Sequence, residues 1–313
     1  MKKKLIIALL PVAFLLVAPR FGYGLGAGDS VKFFDVGQGD SSLVSCGRAQ
    51  LLIDGGPDRI VLNRLGAAMP FFDRRIEYVL LSHPHDDHVF GLFAALGRYE
   101  VGRIIVSEYA AEEWRGSQFI RFAEDHGVEV VTVRAGDTIE LCPELRLDIV
   151  WPDSASGGKA GADSARANDL SVVGRLSVSG VSGEAGKGVS YPQFDTKSAT
   201  QFWNKTAWHY FVRTGDKTDN LPVLFTGDIT ATAERAILDS GADIAACILK
   251  VPHHGSRYSS TPEFVRAVDP KLSVIQVGKN LYGQPSATTI RRLEASGSAV
   301  HRTDFEGSIS ANP

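Results

Sequence analysis

Apolar and polar residues alternate along this chain in a way that predicts many short strands and helices. In the first half the predicted strands cover 31–34, 41–45, 50–53, 76–81, 104–107 and 128–133, and the predicted helices cover 61–69, 91–99 and 112–126. In the second half the predicted strands cover 223–226, 244–251 and 272–277, and the predicted helices cover 231–240, 262–268 and 288–296. Two β-rich halves with interspersed helices predict an α/β fold in which two sheets pack face to face with helices outside.

Two segments between the halves lack this pattern. Residues 154–167 are rich in Gly, Ala and Ser, which predicts a loop. Residues 182–206 are also irregular, yet they contain aromatic side chains, among them Phe202 and Trp203. These aromatics either pin the loop to the body of the protein or face the substrate, because long loops in compact domains are often functional.

The first 27 residues have the layout of an export signal. Lys2, Lys3 and Lys4 precede an apolar stretch over 5–18, and small residues follow it. The stretch is shorter than the ~20 apolar residues that a membrane span needs. An uncleaved anchor and a buried first helix are the alternatives to a cleaved signal. We therefore expect a domain over 30–313 that is secreted, periplasmic or anchored outside the cytoplasm, with transient membrane contact through the N-terminal segment.

The charge of the chain limits the classes of partner. The 313 residues carry a net charge of −3, but four of the basic residues (Lys2, Lys3, Lys4 and Arg20) lie in the first segment. Without them, 29 basic residues stand against 36 acidic ones, which gives a net charge of −7. This charge does not fit a protein that binds nucleic acid mainly through backbone phosphates, and a local basic patch is the alternative that stays open.

The cysteines do not suggest a zinc site. Cys46, Cys142 and Cys247 are widely separated and lack zinc-type spacing. In an exported protein two of them could pair, although the sequence does not say which. Cys247 lies in an apolar run, so we expect a packed thiol there.

The segment 83–88, His-Pro-His-Asp-Asp-His, is the strongest functional signal in the sequence. It follows an apolar run that predicts a buried strand, so three imidazoles and two carboxylates share one strand-end loop. Neutral imidazole and ionised carboxylate are ligands that zinc, manganese and iron accept. The segment therefore predicts a metal site, and its number of ligands indicates two metals. The alternative is a solvated loop that happens to be rich in histidine.

Three more predicted strand ends carry groups of the same kind. Asp54 follows the strand over 50–53 and either orients the metal loop or forms a turn. Asp228 follows a strand in the second half, and its carboxylate could bridge two cations. His253 and His254 follow another. Rigid scaffolds build metal centres from strand ends in this way, so we expect these side chains to meet.

These residues, in this order, resemble the metallo-β-lactamase-fold hydrolases. The resemblance rests on the pattern His83-x-His85-x-Asp87-His88, on Asp54 before it, and on Asp228 and the pair His253–His254 after it. The segments 35–40 (Asp-Val-Gly-Gln-Gly-Asp), 249–256 (Leu-Lys-Val-Pro-His-His-Gly-Ser) and 302–307 (Arg-Thr-Asp-Phe-Glu-Gly) further resemble the soluble hydrolase domain of ComEC-type DNA-uptake proteins. The resemblance covers about residues 31 to 309. It implies an αββα sandwich with a dinuclear metal site at one edge.

The resemblance also implies a role for each candidate residue. His83 and His85 would hold the first metal, Asp87 and His88 the second, Asp228 would bridge, and His253 and His254 would complete the shells. Asp87 and Asp228 are the carboxylates implied in catalysis. Many members carry a further His ligand, whereas ComEC-like sequences have a polar stretch resembling 168–171 here, which makes Asn168 and Asp169 supporting candidates beside Asp54. Because of this departure the identity and occupancy of the two divalent metals stay open, with zinc favoured over manganese.

The chemistry of such a site favours phosphodiester hydrolysis. Two cations about 3.5–4 Å apart lower the pKa of a shared water and stabilise both the attacking and the leaving oxygen. The resemblance thus implies a phosphodiesterase or nuclease with a metal-bound hydroxide as nucleophile. β-Lactam hydrolysis fits less well, because the β-lactamases of the superfamily usually lack the histidine that stands here as His88.

The substrate class stays open at this point. Extracellular DNA is one expectation, and an envelope polymer is the other, as for esterases that remove phosphorylcholine. A non-catalytic binding module that retains the fold is the alternative from another class. No obligate protein partner can be inferred.

Overall fold

The computed structural model describes residues 30–153, 164–178 and 222–311. The predicted export signal over 1–27 and the aromatic insertion over 182–206 lie outside the described residues. Of the predicted loop over 154–167, only the last four residues are described, and they form part of a short helix. Within the described ranges no helix has the length and the apolar composition that crossing a membrane requires.

The first sheet has seven strands. Its order is β14-β1-β2-β3-β4-β5-β6, and the strands from β3 to β6 run parallel to one another. The bounds are β1 (Ser30–Phe33), β2 (Ser42–Cys46), β3 (Ala49–Ile53), β4 (Arg75–Leu80), β5 (Glu100–Ser107), β6 (Glu129–Val133) and, from the far end of the chain, β14 (Ile309–Ala311).

The second sheet also has seven strands. Its order is β13-β12-β11-β10-β9-β8-β7, and the strands from β10 to β13 are parallel. The bounds are β7 (Thr138–Glu140), β8 (Leu145–Trp151), β9 (Val173–Val178), β10 (Val223–Phe225), β11 (Ile248–Lys250), β12 (Leu272–Ile275) and β13 (Ala299–Arg302).

Helices cover the outer faces of both sheets. Their bounds in the described residues are α1 (Ile60–Ala68), α2 (Asp86–Leu96), α3 (Glu108–Glu112), α4 (Trp114–Asp125), α5 (Ser164–Asp169), α6 (Ala231–Ser240), α7 (Pro262–Val268), α8 (Ala287–Ala295) and α9 (Thr303–Glu306). Helices α1, α2 and α4 contribute to the core on the first sheet, and α6, α7 and α8 to the core on the second.

Strand alternation divides the apolar side chains between the inner and outer faces of each sheet. In β3, Leu51 and Ile53 point into the space between the sheets, whereas Leu52 faces the helices. Between the sheets, Phe33 of β1 packs on Phe225 of β10 with ring centroids 6.0 Å apart. The layers therefore run helix, sheet, sheet, helix, which confirms the predicted αββα sandwich.

A disulfide joins the two sheets at the end away from the candidate site. Cys46, at the end of β2, is bonded to Cys142, which lies in the turn between β7 and β8. The Cα atoms are 6.3 Å apart. Cys247 is a buried thiol outside this disulfide and lies in the core between the sheets, as its apolar surroundings predicted.

Candidate metal centre

Five loops meet at one edge of the sandwich, because the strands that lead into them end there. Asp40 lies in the loop between β1 and β2, and Asp54 follows β3. The segment 83–88 follows β4, Asp228 follows β10, and the turn 252–255 follows β11. Parallel strands present their carboxyl ends at the same edge, so this convergence is a consequence of the topology.

The sequence predicted that the side chains of residues 83–88, the first group, lie in a loop, but some of them lie at the start of a helix. Helix α2 begins at Asp86, five residues before the predicted start, so Asp87 and His88 lie in its first turn. Two carboxylates at a helix N-terminus interact favourably with the helix dipole, which explains the early start. The His83 ring centroid is 4.1 Å from that of His88 and 4.5 Å from that of His85.

Close packing fixes the start of α2 against the turn after β3. The backbone N–H of Gly55 donates to the His88 carbonyl at 2.7 Å, and that of Gly91 donates to the Gly56 carbonyl at 3.0 Å. A Cβ atom on Gly91 would lie only 1.8 Å from the Gly55 carbonyl oxygen. Glycine at position 91 therefore lets the helix approach the turn that carries Asp54.

Asp54 orients both histidines of the first group. Its carboxylate accepts hydrogen bonds from the Ser82 backbone N–H at 2.8 Å, from the Ser82 hydroxyl at 2.6 Å and from His88 Nδ1 at 2.9 Å. Since the hydroxyl gives its hydrogen to Asp54, it can only accept from His83 Nδ1, which lies 3.1 Å away. Both imidazoles therefore carry hydrogen on Nδ1 and direct Nε2 towards the centre of the cluster, as metal-binding histidines do.

Asp228 lies at the centre of the cluster. Its Oδ2 atom is 4.0 Å from His83 Nε2, 3.5 Å from His88 Nε2, 3.8 Å from His253 Nε2 and 3.3 Å from His254 Nε2. The side chain is buried. One carboxylate thus faces imidazoles from both sheets, which is the position that a bridging ligand needs.

His253 and His254 reach the site from a strained turn. Their φ angles are +50° and +52°, in the left-handed region that non-glycine residues seldom occupy. The His253 N–H donates to the Gly227 carbonyl at 3.2 Å, and His254 Nδ1 donates to the Gln276 carbonyl at 2.9 Å. Because a carbonyl only accepts, His254 also has its hydrogen on Nδ1, and its Nε2 lies 3.3 Å from Asp87 Oδ2.

The electrostatics of the cluster follow from burial and from the mixture of acids and imidazoles. Burial and the neighbouring His88 hold the pKa of His83 well below its usual value, which keeps that imidazole neutral. Burial also lowers the pKa of His88, but Asp228, Asp54 and Asp87 raise it more, so it ends well above its usual value. Burial raises the pKa of Asp228, but His254, His88 and His253 together lower it far below its usual range. The carboxylate is therefore ionised, which is the form that binds a metal.

The residues fit divalent cations. Buried atoms without a hydrogen-bond partner in the described part of the chain include His83 Nε2, His88 Nε2, His254 Nε2 and Asp228 Oδ1. Unpaired buried polar atoms are rare and call for a physical explanation. The described residues place four groups of donor atoms here, each with all its donor atoms within 4.8 Å of one another. Two of them consist of predicted ligands, namely His83 with His88 and Asp228, and Asp87 with His88 and His254, and the other two include Asp40. Cations bound among them would satisfy these atoms with nitrogen and oxygen ligands of the type that zinc accepts. His88 belongs to both groups of predicted ligands but would bind one cation, because its Nδ1 donates to Asp54 and its Nε2 offers a single lone pair.

The remaining predicted site residues do not belong to these compact groups of donor atoms. His85 is partly exposed and lies beside His83, but none of the compact donor groups among the described residues includes it. The Asp169 carboxylate accepts from the Thr230 N–H and hydroxyl, which fixes the chain after Asp228. Asn168 is buried and its Oδ1 has no hydrogen-bond partner among the described residues. Phe202 and Trp203 lie outside those residues.

Three site residues were missed by sequence reasoning. Asp40 and Lys250 form a buried ion pair, and Gln276 joins the His254 turn to the first sheet by donating to the Phe34 and Ser41 carbonyls. Each is a polar residue next to or within an apolar strand, where the cost of burial requires a partner. That polarity was the available signal. Asp40 and Lys250 entered the prediction only as members of the segments 35–40 and 249–256, and Gln276 was not singled out.

Comparison with known proteins agrees with this architecture. The family described as the Metallo-beta-lactamase superfamily matches residues 34–150. ComE operon protein 3 of Bacillus subtilis (strain 168) is 24% identical over 304 residues, which are 91% of this chain and 33% of the relative. Competence protein ComA of Neisseria gonorrhoeae is 33% identical over 89 residues, which are 28% of this chain and 13% of the relative. The chain thus spans a third or less of the length of these relatives.

A solved structure shows the same fold. The metallo-beta-lactamase fold protein YhfI from Bacillus subtilis superposes with a TM-score of 0.52 and 10% sequence identity, covering 90% of this chain and 100% of that one. At this identity the likeness concerns the fold alone. Together with the family match over residues 34–150, it shows that the described part of this chain has the metallo-beta-lactamase fold.

Proposed function

We propose that this protein is an exported metal-dependent hydrolase that cleaves phosphodiester bonds, with nucleic acid as the leading substrate. The observation that carries the proposal is the convergence of buried, unpaired Nε2 atoms of His83, His88 and His254 on the Asp228 carboxylate. We further propose two zinc ions as the resident metals, because imidazole nitrogen dominates the donor set.

The chain contributes the positions of the ligands. Two divalent ions in such a site supply an activated water and neutralise charge on the phosphate oxygens. His83, His88 and Asp228 would hold one ion, and Asp87 and His254 are the side chains nearest to the other. Asp54 keeps His88 in the tautomer that presents Nε2. Asp87 is the least buried of the carboxylates in this cluster, which supports substrate approach from its side.

Side chains beside the cluster support a nucleic-acid substrate. Arg257 and Tyr258 follow the histidine turn, and Tyr258 is 67% exposed. The Tyr258 carbonyl accepts from the Ala231 N–H at 2.9 Å, which ties it to the start of α6, just after Asp228. An exposed aromatic ring next to a cationic side chain suits a base and its phosphate, and stacking contributes about 1–3 kcal/mol per base. The same role for Phe202 and Trp203 stays a prediction.

The disulfide supports export. Disulfides persist in oxidising compartments and are rare in the cytosol of most organisms. The bond between Cys46 and Cys142 therefore agrees with the export signal predicted over 1–27. Direct evidence would come from fractionating cells that express the full chain and sequencing the N-terminus of the product. Protein recovered only from the cytosol would contradict export.

A cell-envelope phosphoesterase is the second candidate, favoured by the net charge of −7 that remains without the first segment. The two candidates separate in a panel of substrates assayed with zinc or manganese. The panel contains single-stranded DNA, bis-p-nitrophenyl phosphate, p-nitrophenyl phosphorylcholine and a cephalosporin. We expect turnover of DNA and of the simple diester. Turnover of phosphorylcholine alone would favour the second candidate, and inactivity on all four would favour a binding module.

A substitution at Tyr258 tests the substrate class more directly. Tyr258→Ala should raise the Michaelis constant for DNA about 5- to 160-fold, which corresponds to the loss of one stacked base. The small diester, which has no base to stack, should be hydrolysed at the normal rate. The matched control is Phe72→Ala, since Phe72 is 68% exposed but lies before β4, at the opposite end of the sheet. Equal losses on both substrates would contradict a role in binding bases.

A further inference from the structure

Asp40 and Lys250 form a buried ion pair between the two sheets. Asp40 belongs to the loop after β1, and Lys250 is the last residue of β11. Lys250 shares its face of β11 with Ile248, which belongs to the core between the sheets, so strand alternation directs the lysine into that space. The two residues are only 3% and 2% exposed.

The ammonium group of Lys250 is close to the central carboxylate of the metal centre. Lys250 Nζ contacts the Asp40 carboxylate directly and donates to the Gly227 carbonyl at 2.9 Å. It is 3.7 Å from Asp228 Oδ1, which is beyond hydrogen-bonding distance. Asp228 Oδ1 is buried and has no hydrogen-bond partner among the described residues. A small movement of a flexible side chain would therefore place a cation on the proposed bridging ligand.

The position of Asp40 is itself fixed by the metal loop. The Asp40 N–H donates to the Asp87 carbonyl at 3.2 Å. The preceding Gly39 packs so closely that a Cβ atom there would lie 2.3 Å from the same carbonyl oxygen. The loop that carries Asp40 is therefore held against the start of α2, and its carboxylate cannot follow the ammonium towards Asp228.

We propose that Asp40 is a positioning residue that holds the Lys250 ammonium away from Asp228 and so keeps the Asp228 carboxylate available to metal. The inference rests on the proposed metal centre. A buried ammonium requires an anionic partner, and Asp40 and Asp228 are the carboxylates that it contacts within 4 Å in the described residues. When residue 40 loses its charge, Lys250 pairs with Asp228 and repels a dication.

The test is a rescue experiment read out as metal binding. The purified protein is stripped with a chelator, and zinc is titrated in against a colorimetric indicator of known affinity. Asp40→Asn should weaken zinc binding at least ~10-fold, the size of effect seen when a group that supports metal ligands is lost. Adding Lys250→Met to Asp40→Asn should restore the dissociation constant to near the wild-type value, because the competing cation is gone.

A matched control comes from the same loop. Asp35 is paired with Arg64 at 3.1 Å and has no contact with Lys250, so Asp35→Asn should leave zinc binding unchanged. Circular dichroism checks that each variant is folded. If Asp40→Asn does not fold, the double variant, which buries no charge at these positions, is compared with wild type alone, and equal affinity is expected.

The outcomes separate this inference from the proposed function. Wild-type protein that binds no zinc, manganese or iron would overturn both. Two results would overturn the positioning role alone, provided that the wild type binds zinc normally. In the first, the double variant binds zinc as weakly as Asp40→Asn does. In the second, Asp40→Asn binds zinc as tightly as the wild type does. Hydrolytic activity enters neither comparison.

Discussion

The two sheets supply the metal centre in different ways. The first sheet presents His83 and His88 around a helix start, where the backbone is regular and one carboxylate, Asp54, fixes both rings. The second sheet presents His253 and His254 from a turn whose φ angles are positive at both residues. Each such residue costs of order 1–3 kcal/mol and persists only where its surroundings hold it.

The two pairs of histidines are held in place by contacts from different parts of the fold. The contacts that hold His83 and His88 come from neighbouring strands of the same sheet. The contacts that hold the second turn come from several elements, among them the Gly227 carbonyl after β10 and the Gln276 carbonyl after β12. Gln276 in turn bonds to the first sheet. The positions of His253 and His254 therefore depend on how the two sheets pack against each other.

Replacing Asp228, where the two groups meet, should have the largest effect. Asp228→Asn should remove nearly all bound metal by elemental analysis, because the carboxylate faces imidazoles from both sheets and the amide is a much weaker ligand. The control is Asp239→Asn on the exposed surface of α6, where Asp239 pairs with Arg235. Retention of half the metal in Asp228→Asn would show that the two groups bind independently.

The covalent link between the sheets provides the next test. The double substitution Cys46→Ser with Cys142→Ser should lower the free energy of unfolding by about 2–5 kcal/mol, because the disulfide closes a long loop. Urea denaturation measures the loss. A reductant should destabilise the wild type to the level of the variant and leave the variant unchanged. Since the bond lies at the end away from the site, metal content of the folded variant should stay normal.

The sequence predicted the first group better than the second for a physical reason. His83 to His88 are local, and their ligand chemistry is visible in six consecutive residues. The roles of Asp40, Lys250 and Gln276 depend on contacts across more than 200 residues of chain, which no local pattern reports. Strands β7, β8, β9, β13 and β14 were not predicted, although Leu145, Leu147 and Ile149 of β8 alternate with polar residues.

The first group should be sensitive to the packing of α2. Gly91→Ala should lower the free energy of unfolding by about 1–3 kcal/mol, because its Cβ would overlap the Gly55 carbonyl and push the helix from the turn that carries Asp54. Thermal denaturation and zinc titration should both report the change. Gly97→Ala at the end of the same helix is the control, since its nearest neighbour lies at 3.6 Å. Similar losses in both variants would mean that the close approach at Gly91 does not determine the site.

The smallest effect is expected where a left-handed residue has no ligand role. Asp269 ends α7 with a φ of +49°, and its exposed ion pair with Lys271 contributes little. Asp269→Gly should raise the free energy of unfolding by about 0.5–1 kcal/mol, because glycine adopts this conformation without steric cost. Asp269→Ala, which keeps that cost, should not stabilise the protein. Calorimetry of both variants measures how much stability the positive φ angle costs. A glycine at His253 would remove the same steric cost, but it would also remove a ring that faces Asp228. If Asp269→Gly destabilises the protein instead, positive φ angles in this fold are not a source of strain, and the proposed contrast between the two groups of ligands is wrong.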